Sequence, residues 1–444
     1  MTKKIFPNNL FYKKLPLSYY VGKSVNVVRN DVLDRFGTPL EQRFSKKEIG
    51  KMMRDSGLTD IKFAESPPFW HAVGKRIEED HVEHKGSVLI LANHRINRSP
   101  GQRFRFEQYL NHLEENGFEY ELSSLISKED DKYFYSKGNW IKKLSIFLKC
   151  FNQRLKDVKR AKDFDIVFIY REAFFTGTTY FEKRLSKLPI KMIFDFDDSI
   201  WLPSVSDGNK NMEWLKNYNK TKKIIALSDI VFTGNQYLND FAKKHNSKTE
   251  IIPTTIDTSY HLNKLKKDSN AKTCIGWTGT STTLQHFELI VPVLIKIKEK
   301  YKDNVYFKLI GENKYYNKSL DLTGTVWNFD TEIEDLSEID IGIMPLPDDE
   351  WSKGKCGFKG LQYMALGIPT IMSPVGVNTK IINQGINGYL AVSNDDWFDK
   401  ISDLIDDADL RKKLGVEGRK TIEKNYSVNA IKNNYLELFN QLVS

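Results

Sequence analysis

Residues 339–376 read IDIGIMPLPDDEWSKGKCGFKGLQYMALGIPTIMSPVG. An apolar run at 341–344 gives way to a loop of prolines and acids. A helix is expected from about Gly357 to Leu366, and Gly367 and Pro369 end it before the next strand. The loop carries Gly354, Lys355, Cys356, Gly357 and Phe358, with Lys359 just behind them. A glycine-rich helix start offers unpaired amides and a favourable dipole, and two ammonium groups add positive charge, so a diphosphate would sit well there. The plainer alternative is an ordinary strand-to-helix turn with solvated lysines.

Working outward, the same alternation repeats on both sides. After it come another helix-strand-helix series and the end of the chain. Before it, a strand at 274–277 leads to a turn at 279–283, then to a long helix reaching about Lys300, which Pro292 should kink. A further strand follows at 305–310. Upstream, SVLILANHRINRSPGQRFRFEQYLNHLEENG at 87–117 opens a second such series. Its apolar run is 88–92, Phe106, Tyr109, Leu110 and Leu113 recur at helical spacing, and Gly117 stops the helix. Apolar stretches at 166–170, 192–194, 230–233 and 250–253 continue it, separated by segments long enough for crossover helices. This is the α/β pattern of a parallel sheet with helices on both faces, present twice.

The lysine-rich stretch HLNKLKKDSNAK at 261–272 separates the two series. The expected organisation is a small α+β N-terminal extension at 1–85, a first Rossmann-like lobe at 86–262, a second at 263–425, and a closing helix at 426–444. With 444 residues, of which 40% are hydrophobic and 12% aromatic, the chain can bury such cores. Cys150, Cys274 and Cys356 are too scattered for a disulfide framework, which fits a reducing, cytoplasmic setting. The net charge of +9 favours anionic partners such as phosphorylated substrates, nucleic acid or an acidic membrane surface, without choosing among them. No signal-peptide core and no bilayer-length apolar run is seen, so a soluble or peripheral protein is expected.

The segment QYMALGIP at 362–369 resembles the donor loop of the glycosyltransferase group 1 family, also called family 4, which reads E-x7-E followed by A-M-A-x-G-x-P. In this sequence Gln362 and Gly354 stand at the two glutamate positions. Gln362 can still bond ribose hydroxyls, whereas a glycine cannot orient a sugar, a task left open to Asp348, Asp349 or Glu350. The resemblance runs from about Ser87 to the end of the chain. GWTGTSTTLQHF at 276–287 looks like the second lobe's strand-to-helix turn, with Gly279, Thr280 and Ser281 facing donor phosphates. The arginine and lysine that many relatives place near that turn are missing, which turns attention to Lys355 and Lys359. GNQYLNDFAKKHNSKTEIIPTTID at 234–257 resembles the late first-lobe segment and brings Asn235, Thr255 and Asp257 near the cleft. DADLRKKLGVEGRKTIEKNYS at 407–427 and the helix after it resemble the family's C-terminal helices, the last of which crosses back to the first lobe.

Within the first lobe, IFDFDDSIW at 193–201 places Asp195, Asp197 and Asp198 just after a strand, where open parallel sheets bind ligands. They are read as groups orienting sugar and acceptor, with a solvated turn or a divalent-metal site as alternatives. The two-lobe pattern argues against metal, and neither metal nor cofactor is expected. Arg171 and Glu172 end the preceding strand, as cleft residues or as a structural ion pair. SPGQRFR at 99–105 puts Gly101 and Arg103 in the first loop, where the family brings backbone close to the donor. Cys356 is read as a small buried residue of the donor loop rather than a nucleophile. His94, His245, His261 and His286 lack metal-ligand spacing and are read as surface or packing residues.

Two further segments stand apart. From 141 to 162, Ile141, Leu144, Leu148, Phe151, Leu155 and Val158 recur three and four apart among lysines and arginines, a basic amphipathic helix packed on the first lobe or lying on an anionic membrane. Residues 28–76 resemble the C-terminal end of a class I S-adenosylmethionine-dependent methyltransferase, in the order helix, glycine turn, TDIKF strand and polar hairpin. The glycine-rich first turn of that enzyme is missing, so the piece is read as a remnant or as half of a domain completed by a second chain, against an unrelated helical extension.

The resemblance implies a retaining transfer of a sugar from a nucleoside diphosphate sugar to a hydroxyl of a surface glycan or its lipid-linked precursor; the setting expected is cytoplasmic, with a peripheral place on the inner face of the membrane as an option. Lys359, Asp195 and Asp198 would carry the chemistry. The partners expected are the nucleotide sugar and the glycan acceptor, with no nucleic acid. A noncatalytic nucleotide- or glycan-binding subunit is the alternative, because the acidic pair is absent.

Overall fold

A computed structural model describes residues 44–63, 72–76, 83–136, 138–203, 217–262 and 272–444. The chain forms two compact units, Met1–His81 and Val82–Ser444. In the first unit Ser45 and Glu48 form a reciprocal capping box on the helix Lys46–Asp55. Gly57, at φ +77°, turns the chain into β1 (Leu58–Phe63), which pairs antiparallel with β2 (Ala72–Arg76). Helix, glycine turn and strand follow the expected order; residues 28–43 and 64–71 of the methyltransferase-like stretch lie outside the described residues.

The second unit holds two parallel sheets. The first contains β3 (Gly86–His94), β4 (Phe118–Ile126), β5 (Ile166–Tyr170), β6 (Lys191–Phe196), β7 (Ile230–Thr233) and β8 (Thr249–Ile251), in the order β4-β3-β5-β6-β7-β8. The other contains β9 (Thr273–Thr278), β10 (Val305–Ile310), β13 (Ile341–Met344), β14 (Thr370–Met372) and β15 (Tyr389–Leu390), in the order β10-β9-β13-β14-β15. Between β10 and β13 lies the short hairpin of β11 (Tyr316–Asn317) and β12 (Leu322–Thr323). The architecture is α/β with two Rossmann-like sheets. Central strands such as β5, β7 and β13 are buried at every residue, because helices cover both faces of each sheet.

The helix Val428–Val443 completes the first lobe. Tyr435 stacks on Tyr109 with ring centres 4.3 Å apart, and Phe439 meets Phe118 edge-on at 5.8 Å. Both sit in one core with Val88, Ile90 and Phe168. Where the chain returns, Ile256 N–H donates to Tyr426 O at 2.8 Å and Val428 N–H to Ile256 O at 3.1 Å, so the two crossings between lobes run bonded side by side.

Three local expectations are corrected. Pro292 kinks nothing: one helix ends at Glu288 and another, Val291–Tyr301, begins with Pro292 in its first turn, where a missing N–H costs no bond. The stretch 100–114 is a helix Pro100–Arg103, a 3-10 turn Glu107–Tyr109 and a helix Leu110–Glu114 rather than one helix. The helix Trp140–Arg160 buries Ile146, Cys150, Arg154, Asp157 and Val158, whereas Ile141, Leu144 and Leu148 of the expected apolar face are exposed. Arg154 sets that rotation. Its guanidinium is fully buried, donates to the carbonyls of Ala92 (2.8 Å), Ser123 (3.0 Å) and Ala173 (2.5 Å), and pairs with Asp157 at 2.7 Å.

Candidate donor site between the lobes

The donor loop begins at the helix Glu350–Lys353, capped by Asp349, whose carboxylate accepts from Ser352 N–H at 2.7 Å. The loop then packs on the first lobe. Asn235 Nδ2 donates to Gly354 O (3.0 Å) and Lys355 O (3.1 Å), Ser199 Oγ donates to Glu350 O (3.2 Å), and Cys356 Sγ to Asp197 O (3.2 Å). A side chain at Gly354 would land on Ser199 Oγ, so no carboxylate fits at that position. Gly357, at φ +71°, caps the next helix, Phe358–Ala365, in a left-handed conformation that favours glycine.

Lys355 and Lys359 differ in their partners. Lys355 Nζ lies 2.8 Å from Asp198 Oδ1 across the lobes. Asp198 also takes Arg171 at 2.5 Å, and Asp197 takes Arg171 at 2.7 Å and the Tyr170 hydroxyl at 3.0 Å. Burial works against the Asp198 charge, but Lys355 and Arg171 outweigh it and hold the carboxyl below its ordinary value. Arg171 reaches these partners at φ +60°, a left-handed conformation uncommon for a bulky side chain, and Asp195 O holds its N–H at 2.8 Å. Lys359 is half-buried, makes no ion pair among the described residues, and lies 5.5 Å from the Trp277 ring. Burial and then the Lys355 charge push it down to about 8.

The Gly279–Ser281 turn follows β9, the strand that carries Trp277. Gly279 N–H donates to Ile310 O at 2.9 Å, a side chain there would collide with Trp277, and Thr280 starts the 3-10 turn Ser281–Thr283 with a reciprocal cap. His286, read from the sequence as a surface or packing residue, follows this turn. It is buried, its Nδ1 has no hydrogen-bond partner among the described residues, and burial followed by the charges of Lys359 and Lys355 lowers it to about 4.

Several expected site residues take other positions. Asp195 does not face the cleft. It is buried in an ion pair with Arg105, which also donates to Ile252 O, so its role is to hold the lobe together. Burial opposes the Arg105 charge and Asp195 overrides it, keeping the guanidinium above its ordinary value. Arg103 is engaged by Glu332 of the second lobe at 2.6 Å and lies 4.7 Å from the rings of Phe104, Tyr260 and Phe329. Glu332, not singled out in the sequence, accepts from Trp327 Nε1 (3.1 Å) and from the buried Gln362 (3.2 Å). Gly101 lies against the Tyr170 hydroxyl, Glu172 pairs with Lys220 at 3.1 Å, and Phe358 packs at a tilt against Phe104 with ring centres 4.3 Å apart. Asp257 turns onto its own loop, accepting from Ser259 N–H at 2.8 Å, and Thr255 bonds Gln108 and Tyr109. Cys356 is buried, and burial followed by Asp197 pushes its thiol up to about 12, which suits packing rather than nucleophilic chemistry. Of the acids offered for the missing glutamate, Asp349 caps a helix, Glu350 binds Tyr237 (2.6 Å) and Lys353 (2.8 Å), and Asp348 lies 3.9 Å from Lys353.

Residues 272–407 match the family model described as glycosyl transferases group 1. The group 1 match thus covers most of the second lobe, including the Gly279 turn, Glu332 and the Gly354–Gln362 loop. Spore coat protein SA of Bacillus subtilis (strain 168) is 30% identical over 81 residues, 18% of this chain and 22% of that protein. The match therefore spans about a fifth of that relative's length. A glycosyltransferase from Rickettsia africae ESF-5 aligns with a TM-score of 0.57 at 16% identity, over 82% of this chain and 99% of its own. Alr3699/HepE of Anabaena in complex with UDP-glucose aligns with a TM-score of 0.56 at 12% identity, over 80% and 100%. The fold is the two-lobed GT-B architecture.

Proposed function

We propose that this chain transfers a sugar from a nucleoside diphosphate sugar to a hydroxyl of a surface polysaccharide or its lipid-linked precursor, with retention at the anomeric carbon and without a metal. The observation that carries the reading is Lys359. It is the loop cation without an ion-pair partner among the described residues, beside a glycine-capped helix start and 5.5 Å from the ring of Trp277, on the strand that leads into the Gly279 turn. A diphosphate placed there takes its counter-charge from Lys359 and the amides of the helix start, and the same groups stabilise the charge growing on the departing diphosphate. Asp198, held ionised between Arg171 and Lys355, is the carboxylate best placed to orient sugar or acceptor in place of the family's glutamate. Asp195, Asp197 and Asp198 are each bound to cations of the protein or its hydroxyls, which favours electrostatic work by side chains over ligation of a metal. The UDP-glucose complex of Alr3699/HepE supports a UDP-sugar as the first donor to try.

A hydrogen bond to a charged group contributes ~1.5–3 kcal/mol, so Lys359→Ala should weaken donor affinity or transfer by about 10- to 100-fold without lowering the melting temperature. A panel of nucleotide sugars assayed with chelator present tests this: unchanged kinetics in the variant sink the assignment of Lys359, and turnover that needs an added divalent ion sinks the metal-free reading. A noncatalytic nucleotide-binding subunit is the second reading, favoured by Gly354, whose packing on Ser199 excludes the family's carboxylate. Turnover with any nucleotide sugar rejects it.

A further inference from the structure

The helix Trp140–Arg160 leaves an apolar stripe uncovered. Trp140 is 71% exposed, Ile141 88%, Leu144 60% and Leu148 53%, with Tyr135 at 57% just before them. At 100° per residue the four helical side chains fall within roughly a third of the circumference, and they extend roughly 12 Å along the axis. Contiguous apolar surface of this kind on a folded protein marks a place where something docks. The opposite face of the same helix is anchored by Ile146, Cys150 and Arg154, so the stripe points outward on a fixed support.

The surroundings of the stripe are basic. Lys142 and Lys149 flank it on the helix, and Lys128 and Lys132 lie on the preceding helix, Lys128–Phe134. Lys132 and Lys142 both approach the Tyr133 ring at 4.9 Å, which joins the two groups into one surface. Beside it a cavity of about 490 Å3 is lined by Arg98, Lys128, Asp131, Lys132, Tyr135 and Ser136. The acids nearby are largely spoken for: Asp131 is held by Arg95 (3.0 Å) and Arg98 (2.5 Å), and Asp130 by Lys149 (2.6 Å), leaving Glu129 as the exposed acid of that helix. Arg98 remains partly exposed and faces the cavity.

We propose that this face docks on an anionic bilayer surface, with Trp140, Ile141, Leu144 and Leu148 entering the headgroup boundary and the basic rim meeting lipid phosphates. The combination of a bare apolar stripe, an aromatic at its end and cations around it is the arrangement of an interfacial helix. No helix among the described residues is long and apolar enough to cross a membrane. A protein partner would meet the apolar stripe equally well; the surrounding cations favour a surface of negative charge.

The test is flotation of the full chain with vesicles of neutral phosphatidylcholine alone or with an added third of phosphatidylglycerol. The chain should float with the anionic vesicles at low salt, float less as salt rises, and remain behind with neutral ones. Ile141→Glu/Leu148→Glu, at exposed positions and checked for an unchanged melting temperature, should reduce anionic-vesicle binding by at least about tenfold. Val392→Glu, another exposed apolar position, should leave it unchanged. The proposal is overturned by no flotation at low salt, by equal flotation of the double variant, or by a self-association of the chain that the double variant abolishes.

Discussion

With the donor placed as proposed, Lys359 makes its binding depend on pH in a definite direction. Held at about 8 by burial and by Lys355, it loses its proton in the free protein as pH rises from 7 to 9. A bound diphosphate adds negative charge beside it and raises that value, so the complex keeps a proton the free protein has released. Affinity is then highest below pH 8 and falls as pH passes through 8, by at most about tenfold per pH unit for one proton. Calorimetry with a nucleotide sugar at pH 6.5 and 9.5 checks it. Lys359→Arg, charged throughout, should flatten the profile, and a flat profile for the unaltered chain would remove Lys359 from the phosphates. At this scale the sequence was partly legible. The lysines and glycines of the loop supply the residue types and spacing from which the proposed anion site is read. Which arginine of SPGQRFR does what was not legible: Arg105 finds Asp195 and Arg103 finds Glu332, and partners so distant in sequence leave no trace in local spacing.

Elements were legible where burial is uniform. β5, β7 and β13 are buried at every residue because helices cover both faces, and their bounds follow the sequence. β4 was missed because it is an edge strand in which Glu119 and Glu121 break the run. The helix Trp140–Arg160 was read with the wrong inward face in its first half, since apolar periodicity registers equally for a core stripe and for a surface one. The final helix shows how an element distant in sequence closes a core: Phe439 is buried against Phe118, Phe168 and Phe232 of the first lobe. Phe439→Ala should therefore cost about 3–5 kcal/mol, as for other large-to-small changes in cores. Denaturant unfolding would read it, and a loss within 0.5 kcal/mol would mean that the helix is only loosely attached.

Between the lobes, ion pairs add to an apolar contact in which Phe104 and Ile256 meet Met344 and Leu361. Arg103–Glu332 and Lys355–Asp198 cross the cleft at 2.6 and 2.8 Å, and Asn235 and Tyr237 add bonds to the donor loop. Glu332 matters most among these, because its side chain is 4% exposed and it also holds Gln362, the residue at the family's ribose position. Removing Arg103 would strand a buried carboxylate, a defect of about 2–5 kcal/mol when one partner of such a pair is truncated. Opening the lobes lets water reach Glu332, so the molecule can relieve the defect by giving up closure. Arg103→Ala should then enlarge the radius of gyration in solution scattering and weaken donor binding, whereas Glu332→Gln together with Arg103→Ala, which removes the stranded charge, should recover part of the closed population. Scattering curves identical for the unaltered chain and Arg103→Ala would mean that the other crossings hold the lobes without this pair.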